Sequence, residues 1–156
     1  MWSTFDYMPA SHRSQRGAPI LQLVTYSDAD FADCVETLRS TMGGHVCLDC
    51  PLSQYPIHAL STRQNAIVSA TLEAESVAAY TVCRTMLIPC LHGWGVLLQR
   101  WNMGVRGIPR EDIAAAIRVI QSGRNPTVKH LHRVHGVNIA IIHAFLWEQC
   151  ERVRVC

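Results

Sequence analysis

Three short acidic phrases, each placed where one element gives way to another, constrain this chain more than any other feature. They are Tyr26-Ser27-Asp28-Ala29-Asp30-Phe31, Thr71-Leu72-Glu73-Ala74-Glu75, and Arg110-Glu111-Asp112 running into Ile113-Ala114-Ala115-Ala116. The first follows an apolar run, Ile20-Leu21-Gln22-Leu23-Val24, that reads as a buried strand. The second opens a long helical stretch, and the third sits where an extended segment turns into a helix. Carboxylates at strand ends and on one crossing helix can converge in space. Once converged they repel one another unless a cation lies between them, so the pattern points to divalent-metal and phosphate chemistry.

The elements between these phrases set the expected topology. After a strand at 20–27, Gly43-Gly44 leads into a second at 44–49, and a turn from Pro51 to Pro56 leads into a third at 56–62. Short links between three strands read as an antiparallel meander. From Ala70 to Leu87 the period becomes helical, with Ala74, Val77, Ala78, Val82 and Leu87 near one stripe, Glu75 on its edge and Pro89 as the stop. A second helix is expected at 91–101, weakened by Gly93 and Gly95. A fourth strand is expected at 103–108, made poor by Gly104, Gly107 and Pro109. Asp112 is placed to cap a helix from Ile113 to Ser122 that ends at Gly123. A last helix at 134–152 buries Val137, Ile141 and Phe145, with Ile142 and Leu146 as further candidates.

The expected fold class is therefore α/β: a mixed sheet, made of a three-strand antiparallel meander plus a parallel strand, with helices on its faces. In such sheets the functional crevice lies at strand carboxyl ends. If the first and fourth strands are parallel neighbours, Asp28 and Asp112 reach the same rim.

A chain of 156 residues can bury one core. The division expected is a loose leader at 1–18, one domain at 19–152 and a tail at 153–156. No apolar run reads as a membrane span and no signal segment is visible, so the expectation is an intracellular protein (cytoplasmic or nuclear), not secreted and without a membrane partner. A net charge of +2 is too small to argue for nucleic acid by itself. The seven cysteines are odd in number and irregular in spacing, which suits reduced, structural thiols. Cys47-Leu48-Asp49-Cys50 has His45 and His58 near it but no second C-x-x-C, so strand alternation accounts for it better than zinc. Trp94, Trp101 and Trp147 read as packing residues, and most of the histidines, including the neighbours His130 and His132, as solvated or satisfied in the core.

The order of phrases resembles the ribonuclease H domain of copia-type retrotransposon polyproteins. The resemblance is carried by Tyr26-Ser27-Asp28-Ala29-Asp30-Phe31-Ala32, Arg39-Ser40-Thr41-Met42-Gly43, Pro56-Ile57, Arg63-Gln64-Asn65 and Glu73-Ala74-Glu75. It continues through Arg110-Glu111-Asp112, Gly123-Arg124-Asn125-Pro126-Thr127, His130-Leu131, Arg133-Val134-His135 and Val137, covering about residues 20–147. It implies a ribonuclease-H-like fold and metal-dependent endonucleolytic cleavage of RNA in RNA–DNA hybrids. It also implies two Mg²⁺ (or Mn²⁺) ions held by Asp28, Glu75 and Asp112, and an upstream reverse transcriptase domain that this sequence does not include. His135 is a further possible site residue, and Arg39, Arg63, Arg124, Lys129 and Arg133 are candidates for the nucleic-acid phosphates.

The sequence departs from that family pattern at several places. Ile113 stands where an asparagine follows the third aspartate, Thr62 replaces a basic residue, and Ser76 replaces an aromatic one. A fourth acidic position in the last segment is not evident; His132, His135 or Asn138 occupy that region. Two functional readings therefore stand from the sequence: an endonuclease, degenerate at these positions, that cleaves hybrids, or an inactive ribonuclease-H-like relic or module that binds nucleic acid or protein. In both, Glu73 and Glu111 read as helix-dipole residues rather than ligands.

Overall fold

Leu23 and Val24 are both fully buried although they are neighbours on one strand. Successive strand side chains point to opposite faces, so this strand must be covered on both sides. In the computed structural model, which describes residues 3–4, 20–34, 36–50, 52–65, 67–112, 114–123 and 136–145, Leu23 joins the main core and Val24 a smaller cluster with Cys47 and Ile108. The strands are β1 (Ser3–Thr4), β2 (Ile20–Asp30), β3 (Thr41–Cys50), β4 (Ser53–Arg63) and β5 (Gly104–Glu111). The helices are α1 (Thr71–Val82), α2 (Ile88–Gln99), α3 (Ala114–Ser122) and α4 (139–145).

The sheet order is β1-β5-β2-β3-β4. β2, β3 and β4 form an antiparallel meander, while β5 lies parallel to β2 with Leu23 opposite Gly107 and Tyr26 opposite Arg110. The mixed α/β architecture expected from the sequence is present, and all three meander strands are longer than their apolar patterns. Two residues of the segment read as a loose leader, Ser3 and Thr4, pair with Arg110 and Glu111 and extend the sheet past β5.

β5 runs through Gly107 and Pro109, the residues that made it look poor. Gly107 is explained by packing: a Cβ there would stand 3.0 Å from methyl carbons of both Leu87 and Leu91. The helical layer comes so close to β5 that a larger residue would have to displace buried leucines. Pro109 is tolerated because β5 is nearly an edge: among the described residues, only Ser3 and Thr4 pair along its outer flank.

Pro89 does not stop the first helix. A π-turn, Cys83–Leu87, joins α1 to α2, and Ile88 donates its amide to the Cys83 carbonyl five residues back. That widened turn shifts the hydrogen-bond ladder just before a proline that has no amide to give. The resulting helical run, Thr71–Gln99, has 29 residues and is long and apolar enough to cross a membrane by length and composition. The expectation of no membrane-length run rests on a helix stop at Pro89, which the structure does not have. Part of its apolar surface serves the core: Ala74, Ala78, Val82, Met86, Leu87 and Leu91 are buried, whereas Val96 and Leu97 in α2 are exposed.

The face expected for α3 from Ile113, Ala116, Ile117 and Ile120 holds in part: Ala116 and Ile120 are buried, Ile117 is half-buried against the core, Val119 is buried beside them, and Ile113 lies outside the described residues. Gly123 ends it at φ +63°, the left-handed geometry that favours glycine. Just before α4, Val137 is buried as expected; within α4, Ile139 and Ile142 are buried and Phe145 packs against the core, whereas Ile141, expected inside, is exposed. Trp94 packs against the core, but Trp101 is exposed. Trp147 lies outside the described residues.

Candidate metal centre

β2 ends at Asp30, which leaves Asp28 exposed near the carboxyl end of the central strand. The parallel strand β5 ends at Glu111, so Asp112 falls at the same rim, one residue beyond the sheet. Helix α1 crosses that rim with Glu75 turned inward. Ligand oxygens of Asp28, Glu75 and Asp112 lie within 4.8 Å of one another. Among the described residues this is the only such grouping of His, Cys, Asp or Glu side chains. Cys47 is instead a buried core thiol directed at the Val24 carbonyl, 3.7 Å away.

The three carboxylates differ in environment. Asp28 and Asp112 are exposed, whereas Glu75 is only 3% exposed. One Glu75 oxygen, Oε2, is buried without a hydrogen-bond partner. Burial pushes the Glu75 pKa up to about 8, and the charges of Glu111, Asp28 and Asp112 add to the rise, against a backbone hydrogen bond at Ala29 that lowers it. A buried acceptor with no donor is costly. A hard cation satisfies such an oxygen directly, and an all-oxygen donor set suits Mg²⁺, Mn²⁺ or Ca²⁺. The residues present therefore fit a divalent cation.

A fourth carboxylate, Glu111, sits beneath the group at 2% exposure. It is the last residue of β5 and is hydrogen-bonded to Ser27 across the sheet, which corrects its reading as a helix-dipole residue. Burial raises its pKa to about 7; hydrogen bonds from Ser27 and the Asp112 amide oppose the rise, and the Asp112 charge adds to it. Strand alternation at Pro109-Arg110-Glu111 could have shown that Glu111 faces inward. The poor appearance of β5 hid that signal. Glu73 has the local role expected of it: its carboxylate takes the Ser69 amide and hydroxyl, both at 2.8 Å, at the start of α1.

The basic candidates divide. Arg39 precedes β3 and Arg63 ends β4, so both stand exposed at the rim that carries Asp28, with Thr41 paired to Asp30 on one side and to Arg63 on the other. Arg124, Lys129, Arg133 and His135, together with His130 and His132, lie outside the described residues. The sequence reading did not single out Arg110, whose guanidinium lies 5.6 Å from the Tyr26 ring centroid and donates to the Tyr26 hydroxyl at 3.1 Å. Tyr26 in turn lies 6.2 Å from the His45 ring, giving a basic and aromatic row across three strands one step behind the acidic rim.

No protein-family model matches this chain, and no curated protein or solved structure matches it either.

Proposed function

We propose that the chain is a ribonuclease-H-like domain that holds divalent cations, Mg²⁺ or Mn²⁺, on Asp28, Glu75 and Asp112 and cleaves the RNA strand of RNA–DNA hybrids. The observation that carries this reading is the convergence of the three carboxylates with an unpartnered, buried Glu75 oxygen among them. The order of motifs around that group, resembling the copia-type domain, supplies the substrate class.

Bound cations at such a rim supply Lewis-acid stabilisation of a phosphodiester under attack and lower the pKa of water. The chain's own residues prepare the place. Glu75 approaches from the helix and fixes the inner wall, while Asp28 and Asp112 present their oxygens to solvent from parallel strands. Arg39 and Arg63 extend the same rim with positive charge suited to the flanking phosphates. Charge contacts of this kind weaken as salt rises, so hybrid binding through them should fall steeply with ionic strength.

The test is cleavage of a labelled hybrid in millimolar Mg²⁺ or Mn²⁺. Wild-type protein should cut the RNA strand in a metal-dependent way, slowly if the fourth ligand is absent, and Asp28→Asn should abolish cutting while leaving the fold intact. Metal-independent cutting, or cutting that survives in Asp28→Asn, would refute the assignment. Hybrid binding without any cutting would favour the inactive reading.

A further inference from the structure

We propose that the buried Ser27–Glu111 pair is the positioning device of the cation site, a role that rests on the metal-site reading above. The hydrogen-bonded register between β2 and β5 runs to Tyr26 opposite Arg110 and stops there. At the next step Ser27 Oγ donates to Glu111 Oε2 at 2.8 Å, in a buried contact between residues 84 apart in sequence. A side-chain bond thus continues the pairing where the backbone ladder ends. The other oxygen, Glu111 Oε1, accepts the Asp112 amide at 3.2 Å.

Each partner immediately precedes a ligand. Ser27 is followed by Asp28, and Glu111 by Asp112. The one carboxylate therefore ties the two ligand-bearing strand ends to each other and holds the Asp112 backbone as well. Glu111 is 2% exposed and both its oxygens are engaged, so it acts through its neighbours and is not itself a ligand. Outer residues that orient ligands commonly control affinity as strongly as some ligands do.

The test is Mn²⁺ affinity of the full chain by calorimetry, measured well below the melting temperature, for wild type and three variants. Glu111→Ala leaves the Asp112 amide and the Ser27 hydroxyl without an acceptor, and should weaken Mn²⁺ binding by roughly 10- to 100-fold, as loss of an outer positioning group does elsewhere. Ser27→Ala, a smaller change that should fold even if Glu111→Ala does not, should weaken it by about 10-fold, the lower end of that range. Glu111→Gln can still accept the Asp112 amide through its oxygen and donate to Ser27 through its nitrogen, so it should keep affinity near wild type. Wild-type affinity in Glu111→Ala or Ser27→Ala, with only the melting temperature lowered, would overturn the proposal by making the pair merely structural. Loss in Glu111→Gln equal to that in Glu111→Ala would overturn it by making charge the cause. No Mn²⁺ binding by the wild type would overturn the cation reading itself and this role with it, whereas tight wild-type binding undiminished in the variants would sink the pair alone.

Discussion

Glu75→Gln is expected to stabilise the metal-free protein at alkaline pH while removing its response to divalent cations. The carboxyl's pKa is about 8 in the folded protein, against 4.5 for a free glutamate. The unfolded chain thus gives up this proton at lower pH than the folded one. The stability linked to Glu75 is complete below pH 4.5, erodes as pH rises, and is gone above about 8. The whole effect amounts to a few kcal/mol, taking about 1.4 kcal/mol for each unit of pKa. Glutamine does not titrate, so the variant should lack most of this slope. A smaller slope of the same sign should remain from Glu111, whose pKa is also raised. Denaturant unfolding in chelator at a series of pH values from about 5 to 9 reads the difference directly, since it spans the interval between the two pKa values. Equal pH slopes for the two proteins would show that Glu75 is not held in this strained, ionisable state. Millimolar Mg²⁺ should reverse the alkaline loss in wild type, because a bound cation favours the ionised carboxylates, and should leave the variant unchanged.

Gly44→Ala should be among the most damaging single changes in the fold. A Cβ at this position would stand 2.4 Å from Val82 Cγ2 and 3.2 Å from Met86 Sδ. Both neighbours are 1% exposed, so neither has room to give way. Overpacking of this kind costs about 3 kcal/mol, which for a chain of this size lowers the melting temperature by roughly 6–12 °C. Because α1 also carries Glu75, pushing this helix away from β3 should weaken Mn²⁺ binding as well. Combining Gly44→Ala with Val82→Ala removes the clashing methyl groups and should recover part of the loss. A melting temperature within a degree of wild type for the single variant would mean that α1 does not pack on β3 as described.

The acidic phrases and the meander were legible because their signals are local. A short apolar run marks β2, turn residues separate the strands, and a carboxylate at a strand end shows in the sequence itself. What was hidden depends on contacts between distant segments. Gly107 looked like a defect in β5 until Leu87 and Leu91 were seen to lie 3.0 Å from where its Cβ would be. Pro89 looked like a helix stop, yet a single widened turn carries the helix through it. Glu111 looked like a helix-dipole residue because its partner, Ser27, lies 84 residues away. In the last helix Ile142 is buried and Ile141 is exposed, since periodicity over a short stretch does not decide between two adjacent isoleucines. Convergence of Asp28, Glu75 and Asp112 required β5 to lie parallel to β2, which the sequence allowed but did not demand.

The central claim is that these three carboxylates hold a divalent cation. Anomalous diffraction from crystals grown with Mn²⁺ tests it most directly. The account requires a strong anomalous peak bounded by the oxygens of Asp28, Glu75 and Asp112, absent in crystals of Asp28→Asn. Manganese bound elsewhere, with that space filled only by water and Glu75 Oε2 still without a partner, would contradict it.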